Sequence, residues 1–239
     1  MQKDTKKMYQ HGTLALLVPG LYDGTQSIGE LLKHGDYGIG TAQGLGGEMI
    51  VFDGVAYLVL NTGEVQVLTD DVLTPFATVH FNDENSATQT VSELDFKQLT
   101  QKILAQHAYQ NIFFAVTLRG KFKYMKTRAV AKQAKPYPPL VAVADKQSVF
   151  EANETTGTVV GYYAPQLFEG MAVAGFHLHY LDDKHEMGGH ILDFTIQEAK
   201  LSLQPFSSVE QHFPIEDPTF MQTDFELDGL SKQIRQAES

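Results

Sequence analysis

The stretch Gly175–Phe194, GFHLHYLDDKHEMGGHILDF, carries four of the chain's nine histidines. Apolar and polar residues alternate on both sides of a charged loop that ends in two glycines, the pattern of two strands joined by a turn. In an extended strand alternate side chains share a face, so His177 and His179 stand about 6–7 Å apart while Leu178 and Tyr180 point the other way. The loop LDDKHEMGG reverses the chain, and His190 opens the next alternating run, HILDFTI. A neighbouring strand thereby brings a third imidazole beside the first two. Three imidazoles without a fourth protein ligand match an open catalytic zinc site, whose shell is completed by water or substrate. An isolated HxH is more often a polar strand face; the third histidine, behind Gly188 and Gly189, is what favours a metal. His185, out of phase among Asp183, Lys184 and Glu186, reads as a solvated loop residue.

Strand-like runs dominate the rest of the chain: TLALLV, EMIVF, VAYLVL, EVQVLT, FATVHF, NIFFAVTL, KFKYMKTRAV and TGTVVGYYA. Asp53-Gly54 predicts a type I′ hairpin, and Gly120 marks a turn between two strands. Helices are expected from Ser92, as cap, to about His107, and from Ser27 to His34. The second has a capping box of Ser27 and Glu30, with Gly35 at the C′ position. The segment Ala131–Gln147 holds Pro136, Pro138 and Pro139 and reads as a connection between two β-rich halves. The expectation is an α+β fold of two β-rich domains with mixed or antiparallel sheets and a few helices. Residues 1–135 would form the first; residues 136–239 would carry the histidine hairpin, the metal site lying between the two and the C-terminal tail packing back.

The chain has 239 residues and no cysteine, so a metal must be held by histidine and carboxylate. A net charge of -11 and a pI near 5.2 argue against nucleic acid or an anionic membrane as partner. An anionic small molecule would need a local cation. Thr13–Pro19 is too short for a membrane span and lacks a convincing cleavage site, so it reads as a first strand in a cytoplasmic protein.

Glu48 in GLGGEMIVFDG shares its strand face with Ile50 and Phe52. Burial of that face would suit it to proton transfer; from the residues alone a solvated strand-end carboxylate is the stronger reading. Arg128, in line with Phe122, Tyr124, Lys126 and Val130, is similarly either a surface arginine or a bidentate anchor for a carboxylate. Gly38, Gly40 and Thr41 in GDYGIGT fit neither phosphate-loop spacing and read as turn residues. A cupin also contains HxH, but its glutamate is replaced here by Asp183 or Lys184.

Taken together, ELLKHGDYGIGT, GGEMIVFDG with Tyr57 after it, KTRAVAKQAKPYPPL and GFHLHYLDDKHEMGGHILDF resemble the α-acetolactate decarboxylase family over about residues 9–203. The resemblance implies a zinc enzyme that converts (S)-2-acetolactate, a small anionic 2-hydroxy-3-oxo acid, to (R)-acetoin and carbon dioxide through a metal-stabilised enediolate. It implies His177, His179 and His190 as zinc ligands, Glu48 and Arg128 as active-site residues, Thr41 in the substrate pocket, Glu238 as a C-terminal active-site glutamate, and a homodimer. The alternatives are a cupin-like metal oxygenase or isomerase, and a non-catalytic β module with structural zinc.

Overall fold

A computed structural model of the chain describes residues 3–106, 108–225 and 228–238. Its strands are β1 (Lys7–His11), β2 (Gln26–Ser27), β3 (Tyr37–Thr41), β4 (Glu48–Phe52), β5 (Val55–Val59), β6 (Val65–Val67), β7 (Leu73–Thr74), β8 (Ala77–His80), β9 (Thr88–Ser92), β10 (Phe114–Ala129), β11 (Ser148–Ala164), β12 (Gly175–Asp182), β13 (Gly188–Pro205) and β14 (Ser208–His212). The α-helices are α1 (Leu14–Leu17), α2 (Ile28–Leu31), α3 (Phe96–Gln106), α4 (Leu140–Ala144), α5 (Pro218–Gln222) and α6 (Leu230–Glu238). Sheets dominate and the helices are few and short, which is the expected α+β class. No helix among the described residues is long and apolar enough to cross a membrane.

One sheet has seven strands in the order β14-β1-β8-β3-β4-β5-β6, antiparallel except where β14 lies parallel to β1. The other runs β10-β11-β12-β13-β9, and β13 also pairs along β10, so four of its strands close into a ring. A small β2-β7 ribbon completes the set. The sheets do not divide at residues 135 and 136. β9 and β10 precede that point yet pair with β13 and β11, while β14 follows it and joins β1. The proline-rich segment likewise connects two strands of one sheet, β10 and β11, and holds α4.

Gly120 is not a turn. It lies inside β10 opposite Gly157 on one side and Ala199 on the other, and a Cβ there would stand 2.2 Å from the Glu198 carbonyl oxygen. The glycine lets neighbouring backbones close in, and the two expected strands become one. Inside the ring pack Val116, Leu118, Phe122, Val159, Leu178, Tyr180, Phe194 and Ile196, with Leu99 and Ile103 of α3 against them. Burial of each such side chain stabilises the fold by roughly 1.5–3 kcal/mol. Between the sheets Ile39, Ile50 and Val59 meet Ala115, Ala129, Val160 and Tyr162. Met49 and Val51 pack instead with Ile28 and Leu31 of α2. This alternation along β4 places Glu48 on the side of Ile50, toward the second sheet.

Three local expectations change. Leu14, Leu16 and Leu17 are all buried, and TLALLV forms the helical turn of α1; the first strand is Lys7–His11. Helix α3 starts at Phe96, because Asp95 accepts from the Gln98 backbone N–H (2.7 Å) while the Gln98 side chain accepts from that of Asp95 (3.0 Å). That reciprocal box outcompetes Ser92, which ends β9; His107 lies outside the described residues. Ser27 does cap α2, accepting from Glu30 N–H at 3.3 Å. Gly35, however, is a close-approach glycine: a Cβ would sit 2.4 Å from the His80 backbone nitrogen.

Candidate active site

The histidine hairpin forms as its periodicity requires. Leu178 and Tyr180 enter the ring interior, while His177 and His179 emerge on the opposite face. Asp182 fixes the turn: its Oδ1 accepts from the backbone N–H groups of Glu186 (2.7 Å) and Met187 (2.8 Å). Gly189, at φ +124°, passes so close to Arg128 that a Cβ would stand 2.4 Å from its carbonyl oxygen. Thr127 Oγ1 donates to the Gly188 carbonyl at 2.7 Å. These contacts bring His190 into register opposite both His179 and Arg128.

One ligand atom from each of His177, His179 and His190 lies within 4.8 Å of the others, and His177 Nε2 is 3.2 Å from His179 Nε2. His179 Nδ1 donates to the Met49 carbonyl at 2.9 Å, which leaves Nε2 facing the cluster. Burial pushes the His177 imidazole down to about 3, with the Arg128 charge adding to the effect. Burial holds His179 well below its ordinary range too, followed by His177 and Arg128 and opposed by the bond to Met49. Neutral imidazoles keep the lone pair that a metal needs.

Glu48 Oε2 is 3.5 Å from His179 Nε2, and the Glu48 side chain is only 13% exposed. The solvated reading of Glu48 therefore fails: closure of the second sheet over β4 buries it. Arg128 is buried as well, at 4% exposure. Pairing of β10 with β13 shifts at Lys121/Phe122, Phe122/Tyr124 and Lys126/Thr127, so simple alternation from Phe122 does not carry through to Arg128. Its Nη1 donates to Gln147 Oε1 and to the Ala237 carbonyl, both at 2.7 Å. Thr41 and its glycines are not turn residues; they belong to β3, and Thr41 pairs with Glu48 across the ladder. A Cβ on Gly38 would stand 2.2 Å from the Thr78 carbonyl oxygen, so the glycine again admits a neighbouring strand. Thr41 Oγ1 donates to the Gly47 carbonyl at 2.8 Å.

All three histidines, Glu48, Arg128 and Thr41 line one pocket, together with Leu14, Leu17, Leu45, Phe76, Val130, Leu140, Ala144 and Ala237. Helices α1, α4 and α6 supply its apolar roof. Glu238 follows Ala237 at the end of α6, and its side chain lies outside the described residues. His185 is exposed, and its ring lies tilted beside that of Tyr57. Asp183 is exposed in the same loop and stands outside the candidate metal group, which removes the carboxylate that a cupin reading requires. Sequence reasoning missed Gln147 and the roofing helices, because no local pattern marks a residue whose partner lies on a distant strand.

A convergent imidazole triad that could hold a metal ion, beside a buried glutamate and guanidinium, is a pocket of enzymatic type. The family model described as alpha-acetolactate decarboxylase matches residues 8–227. The alpha-acetolactate decarboxylase of Lactococcus lactis subsp. cremoris is 36% identical over 97% of this chain and 98% of its own; that of Bacillus licheniformis is 33% identical over 100% and 94%. The crystal structure of alpha-acetolactate decarboxylase from Bacillus subtilis strain 168 superposes with a TM-score of 0.94, at 29% identity, covering 98% of this chain and 99% of that one. The chain belongs to the alpha-acetolactate decarboxylase family. It is therefore an enzyme, and the reading as a non-catalytic β module falls.

Proposed function

We propose that this chain is a zinc-dependent decarboxylase that converts (S)-2-acetolactate to (R)-acetoin and carbon dioxide. The observation that carries this reading is the convergence of His177, His179 and His190 on a pocket that also holds Glu48 and Arg128. The donor set fits zinc: three nitrogen ligands, two of them held neutral by burial, in a chain without cysteine. Zinc bound there supplies Lewis-acid polarisation of the substrate's carbonyl and hydroxyl oxygens.

The chain's own residues supply position, charge and a proton. Arg128 receives the substrate carboxylate or the oxyanion that develops as carbon dioxide leaves, and it stays charged throughout. Glu48 is the proton donor to the carbon that lost its carboxyl group; delivery from one side sets the handedness of the product. Because Thr41 spends its hydroxyl hydrogen on Gly47, it offers the substrate an acceptor. Leu14, Leu17 and Leu140 keep water away from the reacting atoms. Glu238, the last residue of the roofing helix α6, enters this reading as the C-terminal active-site glutamate on the strength of the family resemblance alone. The protein works as a cytoplasmic homodimer without a nucleic-acid partner, a part of the reading that rests on family and charge.

The test is acetoin release from racemic 2-acetolactate by the purified protein, before chelation, after it, and after zinc is restored. Loss and recovery of turnover are expected. A folded, zinc-loaded sample that releases no acetoin would sink the reading.

A further inference from the structure

We infer that Gln147 is a positioning residue for catalysis: its side-chain oxygen aims the Arg128 guanidinium at the substrate's carboxylate while leaving the arginine's charge intact. This rests on the reading above that Arg128 receives that carboxylate.

The argument begins with how Gln147 is held. Chain leaving α4 closes in a tight turn in which Asp145, Lys146 and Gln147 donate backbone N–H bonds to Val141 (3.2 Å), Val143 (3.0 Å) and Ala144 (3.3 Å). The next residue, Ser148, opens β11 and pairs with Ala129, the neighbour of Arg128. Gln147 is thus pinned between a helix end and a strand start. Asp145 and Lys146 are exposed, whereas Gln147 turns inward and is half-buried. Its Oε1 meets Arg128 Nη1 at 2.7 Å, and the same Nη1 meets the Ala237 carbonyl at 2.7 Å. Two acceptors on one nitrogen fix the plane of the guanidinium, and groups built on rigid elements hold a reacting constellation more closely than loops do.

The chemical type of residue 147 matters as much as its place. An amide oxygen accepts a charge-assisted hydrogen bond without adding a negative charge. A carboxylate there would hold the arginine equally well but offset its attraction for an anion. A leucine would fill the space and let the guanidinium turn.

The two substitutions should therefore fail in different ways. Gln147→Leu is expected to lower kcat by about tenfold or more, since misplaced groups lose effective concentration at the reacting centre. Gln147→Glu is expected to raise KM by about tenfold with kcat nearly unchanged, the behaviour of lost uniform binding. Both should retain wild-type zinc content. The measurements are steady-state acetoin release by the zinc-loaded proteins, and calorimetric binding of 2-hydroxy-2-methylpropanoate, an unreactive carboxylate with the substrate's hydroxyl. Arg128→Met is the control. If it loses the analogue while both Gln147 variants keep wild-type kcat, KM and analogue affinity, the positioning role is overturned and the reading of Arg128 stands. If Arg128→Met binds the analogue as tightly as wild type, the carboxylate-binding role of Arg128 falls and the positioning role of Gln147 falls with it. Should Gln147→Leu fail to fold, the KM shift of Gln147→Glu decides alone.

Discussion

Two groups of buried histidines share one electrostatic condition and differ in what their nitrogens face. In the seven-stranded sheet, His80 Nδ1 meets the Tyr162 hydroxyl at 2.8 Å, and His11 sits between the His212 ring (2.8 Å) and Thr25 Oγ1 (2.7 Å). Burial drives these imidazoles down to about 3 and about 4. His177 and His179 are held down by the same cause, yet their Nε2 atoms turn toward each other, and that of His179 also faces Glu48. Burial makes a histidine neutral. Convergence makes it part of a ligand set.

That contrast can be broken by substitution. His179→Ala should strip the metal and reduce turnover by at least about a thousandfold, since the ion's Lewis acidity contributes several kcal/mol; metal analysis and acetoin assay report both, and a full metal equivalent would defeat the assignment. Glu48→Gln should retain the metal and lower kcat by about 10²–10⁴-fold, the usual range for a lost acid or base. Wild-type turnover would remove Glu48 from the chemistry.

The other histidines are expected to govern acid stability instead. Their folded pKa values lie below the ordinary value of 6.5, so the unfolded chain takes up protons first as pH falls. Their stabilisation is complete above about pH 6.5 and is lost through about 4 for His11 and about 3 for His80, each with a slope of up to about 1.4 kcal/mol per pH unit. Denaturant titrations between pH 7 and 4 would show this slope, and His80→Phe should flatten it; an unchanged slope would place the acid sensitivity elsewhere. The smallest effect belongs to the hairpin. Asp182→Ala removes two bonds in the turn and should cost about 1–2 kcal/mol in chemical denaturation, whereas no change would show that pairing with β10 holds His190 by itself.

Much of this was legible because periodicity is local. The HxH face, the third histidine after a turn and the Asp53-Gly54 hairpin follow from alternation and turn chemistry; Asp53 and Gly54 do take φ of 49° and 78°. Expectations failed where a distant strand intervened. Gly120, Gly38 and Gly35 look like turn residues in sequence, yet each sits where a neighbouring backbone leaves no room for a Cβ. TLALLV lacks alternation, and an apolar run that short suits a buried strand and a buried helical turn equally.

Alternation and turn residues, each a property of a few neighbouring positions, were enough to settle the α+β class, the strand carrying His177 and His179, and the return of His190 beside them. The burial of Glu48 and Arg128, the closing of four strands into a ring, and the meeting of Gln147 and Ala237 on one guanidinium nitrogen were decided only by tertiary structure. The physical reason is range: desolvation and cross-strand hydrogen bonds depend on groups that lie far apart in the chain, and no local pattern encodes which of them will meet.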